Sequence, residues 1–420
     1  MDLGGVCELI VDCEHKTAST QTEGHPSIRT PNIGRGFLLL DGVNRVSEET
    51  YNLWTKRAEP RYGDLIMARE APVGNVAMVP RGLRPCLGQR TLLIRPMRSK
   101  VDSRYLVYLL VGDEVQNRIH AMTNGVTVPH LNMEDVRSLA LPPLPSLPTQ
   151  QKIAAILSAY DGLIENNLRR IRILGEMVQN LYREWFVEFG FPSHRQARFT
   201  DSPFGRIPEG WEIRRLDESC SAVLDGDWIE TKDQGGEDYR LLQISNIGLG
   251  DFVETGNFRY VTQETFERLR CTEIQPDDFL IARMPSPIGR GWLARKLPWR
   301  IITAVDVAIA RPDSRRICPV FLLYFWNQPS TLAAIEKQSS GTTRLRITRR
   351  QLCAIPILTP PLDLQGQFSA KVRPVVDLGD ILRDQSVALR RTRDLLLPRL
   401  ISGEVDVSEL EIAVPEEAVT

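Results

Sequence analysis

The chain has 420 residues, 42% hydrophobic and 25% charged, with a formal net charge of -1 and seven cysteines. That length supports two or three domains with cores of their own, so neither a disulfide framework nor a metal staple is needed. No apolar run reaches the roughly 18 residues of a membrane span, and Met1-Asp2-Leu3-Gly4-Gly5 has neither the basic nor the apolar stretch of a secretory signal. A cytoplasmic chain with reduced thiols is expected.

In chain order, Leu65-Ile66-Met67-Ala68 and Thr91-Leu92-Leu93-Ile94 read as strands and 104–110 as a short helix. The proline-dense stretch Leu141-Pro142-Pro143-Leu144-Pro145-Ser146-Leu147-Pro148 is expected to be an extended connector. From Thr149, a candidate cap, apolar residues recur every seven: Leu157, Ile164, Ile171, Val178 and Trp185. A second row lies between them (Tyr160, Asn167, Leu174, Leu181), and Gly190 with Pro192 ends the helix.

The second half repeats this plan. Phe279-Leu280-Ile281-Ala282 and Val305-Asp306-Val307-Ala308-Ile309 read as strands and 319–326 as a helix. Ile355-Pro356-Ile357-Leu358-Thr359-Pro360-Pro361 reads as a second connector. A second helix follows, with Phe368, Val375, Leu382, Leu389 and Leu396, and Leu378, Gln385 and Thr392 between them. Pro374 marks either its regular start or a kink. A sustained seven-residue period indicates a coiled-coil seam, each helix spanning roughly 50 Å. Asn167 and Gln385 are expected to face that seam, as register-fixing or merely tolerated polar residues.

The halves are related at an offset of about 215 residues. Asn32-Ile33-Gly34 recurs as Asn246-Ile247-Gly248, and Glu49-Thr50-Tyr51 as Glu264-Thr265-Phe266. The run 63–69 recurs at 277–283, Pro72-Val73-Gly74 as Pro287-Ile288-Gly289, and Gly125-Val126-Thr127 as Gly341-Thr342-Thr343. Matches in the same order imply a duplicated domain with pseudo-twofold symmetry, since the period is too long for a solenoid.

Charge is segregated within the near-neutral total. Residues 279–350 hold 13 Lys and Arg against three acids, a net +10, and 55–104 hold 11 against four, a net +7. Residues 401–420 carry six acids and no base. Both basic regions lie inside the repeats, where they can neutralise phosphates.

Several runs stand out: Glu14-His15-Lys16-Thr17-Ala18, Ser27-Ile28-Arg29-Thr30-Pro31-Asn32-Ile33-Gly34, Arg69-Glu70-Ala71-Pro72-Val73-Gly74-Asn75-Val76, Leu163-Ile164-Glu165-Asn166-Asn167, Leu181-Tyr182-Arg183-Glu184-Trp185-Phe186-Val187 and Leu396-Leu397-Pro398-Arg399-Leu400-Ile401-Ser402-Gly403-Glu404. In these runs the sequence resembles the specificity subunits of type I restriction–modification systems. The resemblance spans nearly the whole chain. Pro208-Glu209-Gly210-Trp211 leads into the second copy without a counterpart before the first, so the start lies upstream or the first edge strand is shorter.

The resemblance implies an α+β fold with two tandem, pseudo-twofold related target-recognition domains separated by two long helices that form an antiparallel coiled coil. The boundaries expected are 1–148 for the first recognition domain, 149–192 for the first spacer helix, 193–360 for the second domain, 361–402 for the second helix and 403–420 for an acidic tail. Seam residues expected are Leu157, Ile164, Asn167, Ile171, Val178, Val375, Leu382, Gln385, Leu389 and Leu396. Each domain would read half of an asymmetric bipartite site in double-stranded DNA. The partners implied are two modification (methyltransferase) subunits that methylate adenine and restriction subunits that translocate and cleave DNA. S-adenosylmethionine, ATP and Mg are expected on those partners. The competing reading is a protein-interaction scaffold whose basic surfaces are incidental.

No chemistry of the chain's own is expected. Neither a phosphate-cradling G-x-x-x-x-G-K-[ST] nor a glycine-rich dinucleotide fingerprint occurs, and Cys13-Glu14-His15 lacks the further ligands a metal needs. Candidate DNA contacts are Arg69, Gln89, Arg90, His130, Arg283, Arg290, Arg344, Arg346, Arg349 and Arg350. Arginine can pair bidentately with guanine and glutamine with adenine. The matched Arg69 and Arg283 could instead support a turn in both copies.

Overall fold

The computed structural model describes residues 1–14, 16–123, 129–341 and 344–415. His15, Gly125-Val126-Thr127 and Thr342-Thr343 lie outside the described residues. The chain divides into two compact units, Met1–Arg169 with Arg383–Thr420, and Arg170–Leu382.

Both units are built on one sheet plan. In the first, a four-stranded antiparallel sheet runs in the order Cys7–Asp12, Thr91–Pro96, Leu65–Ala68, Val76–Met78. In the second the order is Cys220–Asp225, Val307–Pro312, Phe279–Ala282, Gly291–Leu293. The register slips at the same step in each, between Cys7 and Leu9 and between Cys220 and Ala222. A smaller sheet is duplicated too: His25–Ile28 lies between Arg45–Val46 and Cys86–Leu87, as Tyr239–Leu242 lies between Tyr260–Val261 and Arg300–Thr303.

The apolar runs predicted as strands are central strands covered on both faces. Leu65 and Met67 join one core cluster while Ile66 and Ala68 join another, and Phe279 and Ile281 divide from Leu280 and Ala282 in the same way. Alternate side chains point to opposite faces, so a strand buried on both reads as a continuous apolar run. A buried ion pair is repeated as well. Arg95 grips Asp64 at 2.9 and 2.7 Å, and Arg311 grips Asp278 at 2.8 and 2.9 Å. Each carboxylate also accepts the backbone N–H three residues before it, from Arg61 and from Gln275, both at 2.9 Å.

The two long helices run Leu147–Tyr182 and Leu362–Ile401, the first passing into a wider turn over Arg183–Val187. Thr149 is not the cap. Ser146 precedes the first helical residue and accepts the Thr149 N–H at 3.3 Å, because Pro148 fits the N–H-free first turn. Nor does the second helix start at Pro374, which lies well within it. The second connector is also not wholly unpaired: Pro356–Thr359 forms an edge strand against Glu212–Arg215, with proline at its first position, where a missing donor is tolerated.

Gln150 and Gln365 secure the helix starts and are 1% and 0% exposed. Gln150 accepts the Asp102 N–H at 3.0 Å and donates to the Pro145 carbonyl at 2.9 Å. Gln365 accepts the Cys318 N–H at 2.8 Å and donates to the Pro360 carbonyl at 2.7 Å. One buried amide thus joins connector, helix and recognition domain in each copy.

The helices pair antiparallel within each unit. In the first, Asp161 accepts Arg393 Nη1 and the Tyr108 hydroxyl, both at 2.5 Å, and Leu157 shares a core with Leu396, Leu397 and Leu400. In the second, Val178, Tyr182 and Trp185 pack with Phe368 and Val372, and Val375 lies partly buried against them. Leu157, Ile164, Asn167 and Val178 are buried and Ile171 is half-buried. On the second helix Leu382 is buried, and Val375, Leu389 and Leu396 are half-buried.

Gln385 does not face the seam. It is exposed, and Ser386 is buried in its place at 1% exposure. The same one-residue displacement replaces Leu378 by Gly379 and Thr392 by Arg393. A seven-residue repeat accommodates an intervening row three or four residues on. Here it lies four on, and it is filled by small or polar residues that hydropathy does not reveal.

The C-terminal segment is an ordered strap as far as it is described. Val407 is 1% exposed in the first unit's core, and Lys152 Nζ donates to the Ser408 carbonyl at 2.5 Å. No helix among the described residues is long and apolar enough to cross a membrane.

Candidate nucleic-acid interface

Most of the expected contact residues lie near one end of the four-stranded sheet in each unit, where Arg69 and Arg283 precede a Pro-[Val/Ile]-Gly turn, with two residues between arginine and proline in the first copy and three in the second. The strand ending at Ala68 or Ala282 turns back on itself: Gly74 N–H donates to Ala68 O at 2.9 Å, and Gly289 N–H to Ala282 O at 2.8 Å. Both glycines have positive φ, +82° and +85°, and an added Cβ would come within 2.9 Å of Ile119 or 2.6 Å of Ile335. Only glycine fits there.

The next residue braces the neighbouring loop. Asn75 Nδ2 donates to Ile33 O at 2.8 Å, while Arg290 Nε donates to Ile247 O at 2.7 Å and its Nη2 to Ile244 O at 3.0 Å. Burial lowers the Arg290 pKa. Arg290 is therefore committed to internal carbonyls.

Arg69 and Arg283, at the strand ends, clamp a returning segment. Arg69 Nε donates to Leu131 O at 2.9 Å, and the Leu131 N–H donates back to Arg69 O at 3.1 Å. Arg283 Nε donates to Ile347 O at 3.0 Å, with Ile347 N–H returning to Arg283 O at 3.2 Å. Arg283 is only 7% exposed and its Nη1 also reaches Asp225 at 2.6 Å. Burial, helped by nearby Arg346, pushes its pKa down. Both arginines serve the support of the turn, and Arg283 in particular is not on the surface.

The clamped segments carry His130 and Arg346, which occupy equivalent places. His130 is half-buried and bridges Glu70 through the backbone. Arg346 Nη2 contacts Asp306 at 2.6 Å. Arg90 is exposed and its Nε contacts Glu70 at 3.0 Å, while Gln89 beside it is half-buried. Arg349 spends Nε on Asp225 at 3.2 Å and Nη1 on Val223 O at 3.1 Å. Arg344 and Arg350 are exposed.

Composition missed the carboxylates Glu70, Asp225 and Asp306, which convert a basic patch into oriented arginines. The signal that could have found them is their position beside the repeated strand ends, Glu70 after Arg69, Asp225 closing its strand and Asp306 just before Val307. No group of three His, Cys, Asp or Glu among the described residues could hold a metal ion.

Residues 1–173 match the family model described as "Type I restriction modification DNA specificity domain". The type I restriction enzyme MjaIX specificity subunit of Methanocaldococcus jannaschii is 23% identical over 371 residues, covering 88% of this chain and 83% of the relative. The chain is thus similar to type I specificity subunits, through the family model over its first 173 residues and through such relatives over most of its length. The HindI specificity subunit of Haemophilus influenzae is likewise 23% identical over 371 residues, covering 75% of this chain and 80% of the relative. The crystal structure of the type I S subunit from M. genitalium shares the fold at 14% identity, with a TM-score of 0.61 over 95% of both chains. This chain combines a duplicated scaffold with two different sets of charged groups at the equivalent sheet ends.

Proposed function

We propose that this specificity subunit reads an asymmetric, bipartite site in double-stranded DNA, one half by each unit, with the paired long helices as the spacer. The carrying observation is the pair of equivalent sheet ends. The backbone, clamp and turn are alike, yet Arg90 and His130 in one stand where Asp306 and Arg346 stand in the other. A repeated scaffold with unlike polar groups at one place suits two readers of different base sequences. Joining two modest readers in one chain raises affinity through effective concentration.

The subunit supplies recognition and no bond-making step. Methyl transfer to adenine belongs to two modification subunits carrying S-adenosylmethionine, and ATP- and Mg-dependent translocation and cleavage to restriction subunits. Extruding and methylating a base requires a cofactor pocket, and that need is met by the partner. Removing one heptad from each long helix tests the spacer. The tolerated gap between half-sites should change while the half-sites themselves persist; an unchanged gap overturns it. The purified chain alone should transfer no methyl group to DNA, and activity without a partner would overturn the division of labour.

A further inference from the structure

We infer that Arg90 and Arg346 are the guanine-reading residues of the two half-sites, each aimed by its own carboxylate; this rests on the DNA-reading function proposed above. The candidate arginines separate by how their guanidinium edges are used. Arg283 and Arg290 are committed to internal carbonyls and, for Arg283, Asp225; Arg69 gives its Nε to the Leu131 carbonyl in the clamp; and Arg349 is held by Asp225 and Val223. Arg90 and Arg346 differ. Each is anchored by a single carboxylate among the described residues, Glu70 at 3.0 Å and Asp306 at 2.6 Å, and their side chains are 60% and 38% exposed.

An arginine so paired is biased toward one orientation while its free Nη donors stay open to an incoming acceptor, the Arg346 Nε itself being buried. A planar fork fixed at one edge suits the N7 and O6 acceptors of guanine in the major groove. A phosphate contact needs no such bracing, since a mobile cation serves. Arg90 also takes a φ of +65°, a strained conformation for a residue with a Cβ, of the kind retained where side-chain aim matters.

The two devices are assembled in opposite senses. In the first unit the arginine comes from the turn before Thr91–Pro96 and the acid from the residue after the Arg69 clamp. In the second the turn position holds the acid, Asp306, and the clamped segment supplies the arginine. The same scaffold therefore presents its guanidinium from two different backbone positions. The guanine should accordingly stand at different steps within the two half-sites.

The test uses the chain assembled with its modification subunits and a pool of duplexes randomised within both half-sites. The parent must first select a split motif, and its absence would defeat the DNA-reading function itself. Given that motif, Arg90→Lys and Arg346→Lys keep the charge and lose the fork. Each should flatten base preference at one G·C pair, by roughly 10- to 100-fold, in one half-site only. Glu70→Gln and Asp306→Asn should weaken preference at the same two pairs. Thermal melts of all four variants establish that they fold. Selection unchanged in the lysine variants, or an equal loss across all sequences, overturns the inference and leaves the bipartite function standing. A selected half-site lacking any G·C pair overturns it as well.

Discussion

Arg283 donates from Nε to the carbonyl of Ile347 at 3.0 Å, and the Ile347 N–H donates back to the Arg283 carbonyl at 3.2 Å. Arg69 and Leu131 form the same reciprocal pair in the other unit. A side chain that looks like a DNA ligand in the sequence is thus a fastener holding the segment that follows.

The fasteners should differ in cost. Arg283→Ala removes the Nε donor to the Ile347 carbonyl and empties a buried site, leaving Asp225 with Arg349 alone, whereas Arg69 is half-exposed and serves a neutral acceptor. Urea unfolding should show a loss of about 2–4 kcal/mol for Arg283→Ala and about 1 kcal/mol for Arg69→Ala. Equal small losses would contradict the buried clamp.

Gln150→Ala and Gln365→Ala should each cost about 1–3 kcal/mol, since each removal leaves an N–H and a carbonyl, one buried and one partly buried, without their partner. Hydrogen exchange should locate the effect at the helix start concerned. Protection unchanged at the Asp102 or Cys318 amide would contradict the anchoring role.

The seam makes a sharper distinction. Leu382→Ala empties a buried position and should cost about 2–4 kcal/mol, while Gln385→Ala is exposed and should stay within about 0.5 kcal/mol. A large loss for Gln385→Ala would restore the register in which it faces the partner helix.

Asp227 gives a pH dependence. Burial raises its pKa from 3.8 to about 6, opposed by the Thr272 N–H it accepts. The fold favours the protonated form, so this group's contribution is full below about pH 4 and is lost as pH rises through about 6. Asp227→Asn keeps an acceptor and removes the charge. It should be more stable than the parent at pH 8 by on the order of 1–2 kcal/mol, with the difference shrinking toward pH 5. No gain at pH 8, or the same gain at both, would contradict the assignment.

Much of this architecture was legible in the sequence because duplication writes it twice. Leu65-Ile66-Met67-Ala68 and Phe279-Leu280-Ile281-Ala282 align and are central strands in equivalent sheets. The second helix's intervening row was illegible because Gly379, Ser386 and Arg393 carry no apolar signal, while the exposed Leu378 does. The strand Pro356–Thr359 was hidden by its flanking prolines. The candidate interface was legible as arginine-rich but not as a set of roles. Whether a guanidinium meets a carbonyl, as in Arg290, or one carboxylate, as in Arg90, depends on long-range contacts that spacing does not encode.

The most direct measurement of the central claim is a base-resolution map of adenine methylation on random-sequence DNA treated with the chain and its modification subunits. Two unlike readers on one spacer require modified adenines within a single split motif, its halves different in sequence and separated by a fixed gap. A continuous motif, two identical inverted halves, or methylation without sequence preference would contradict it.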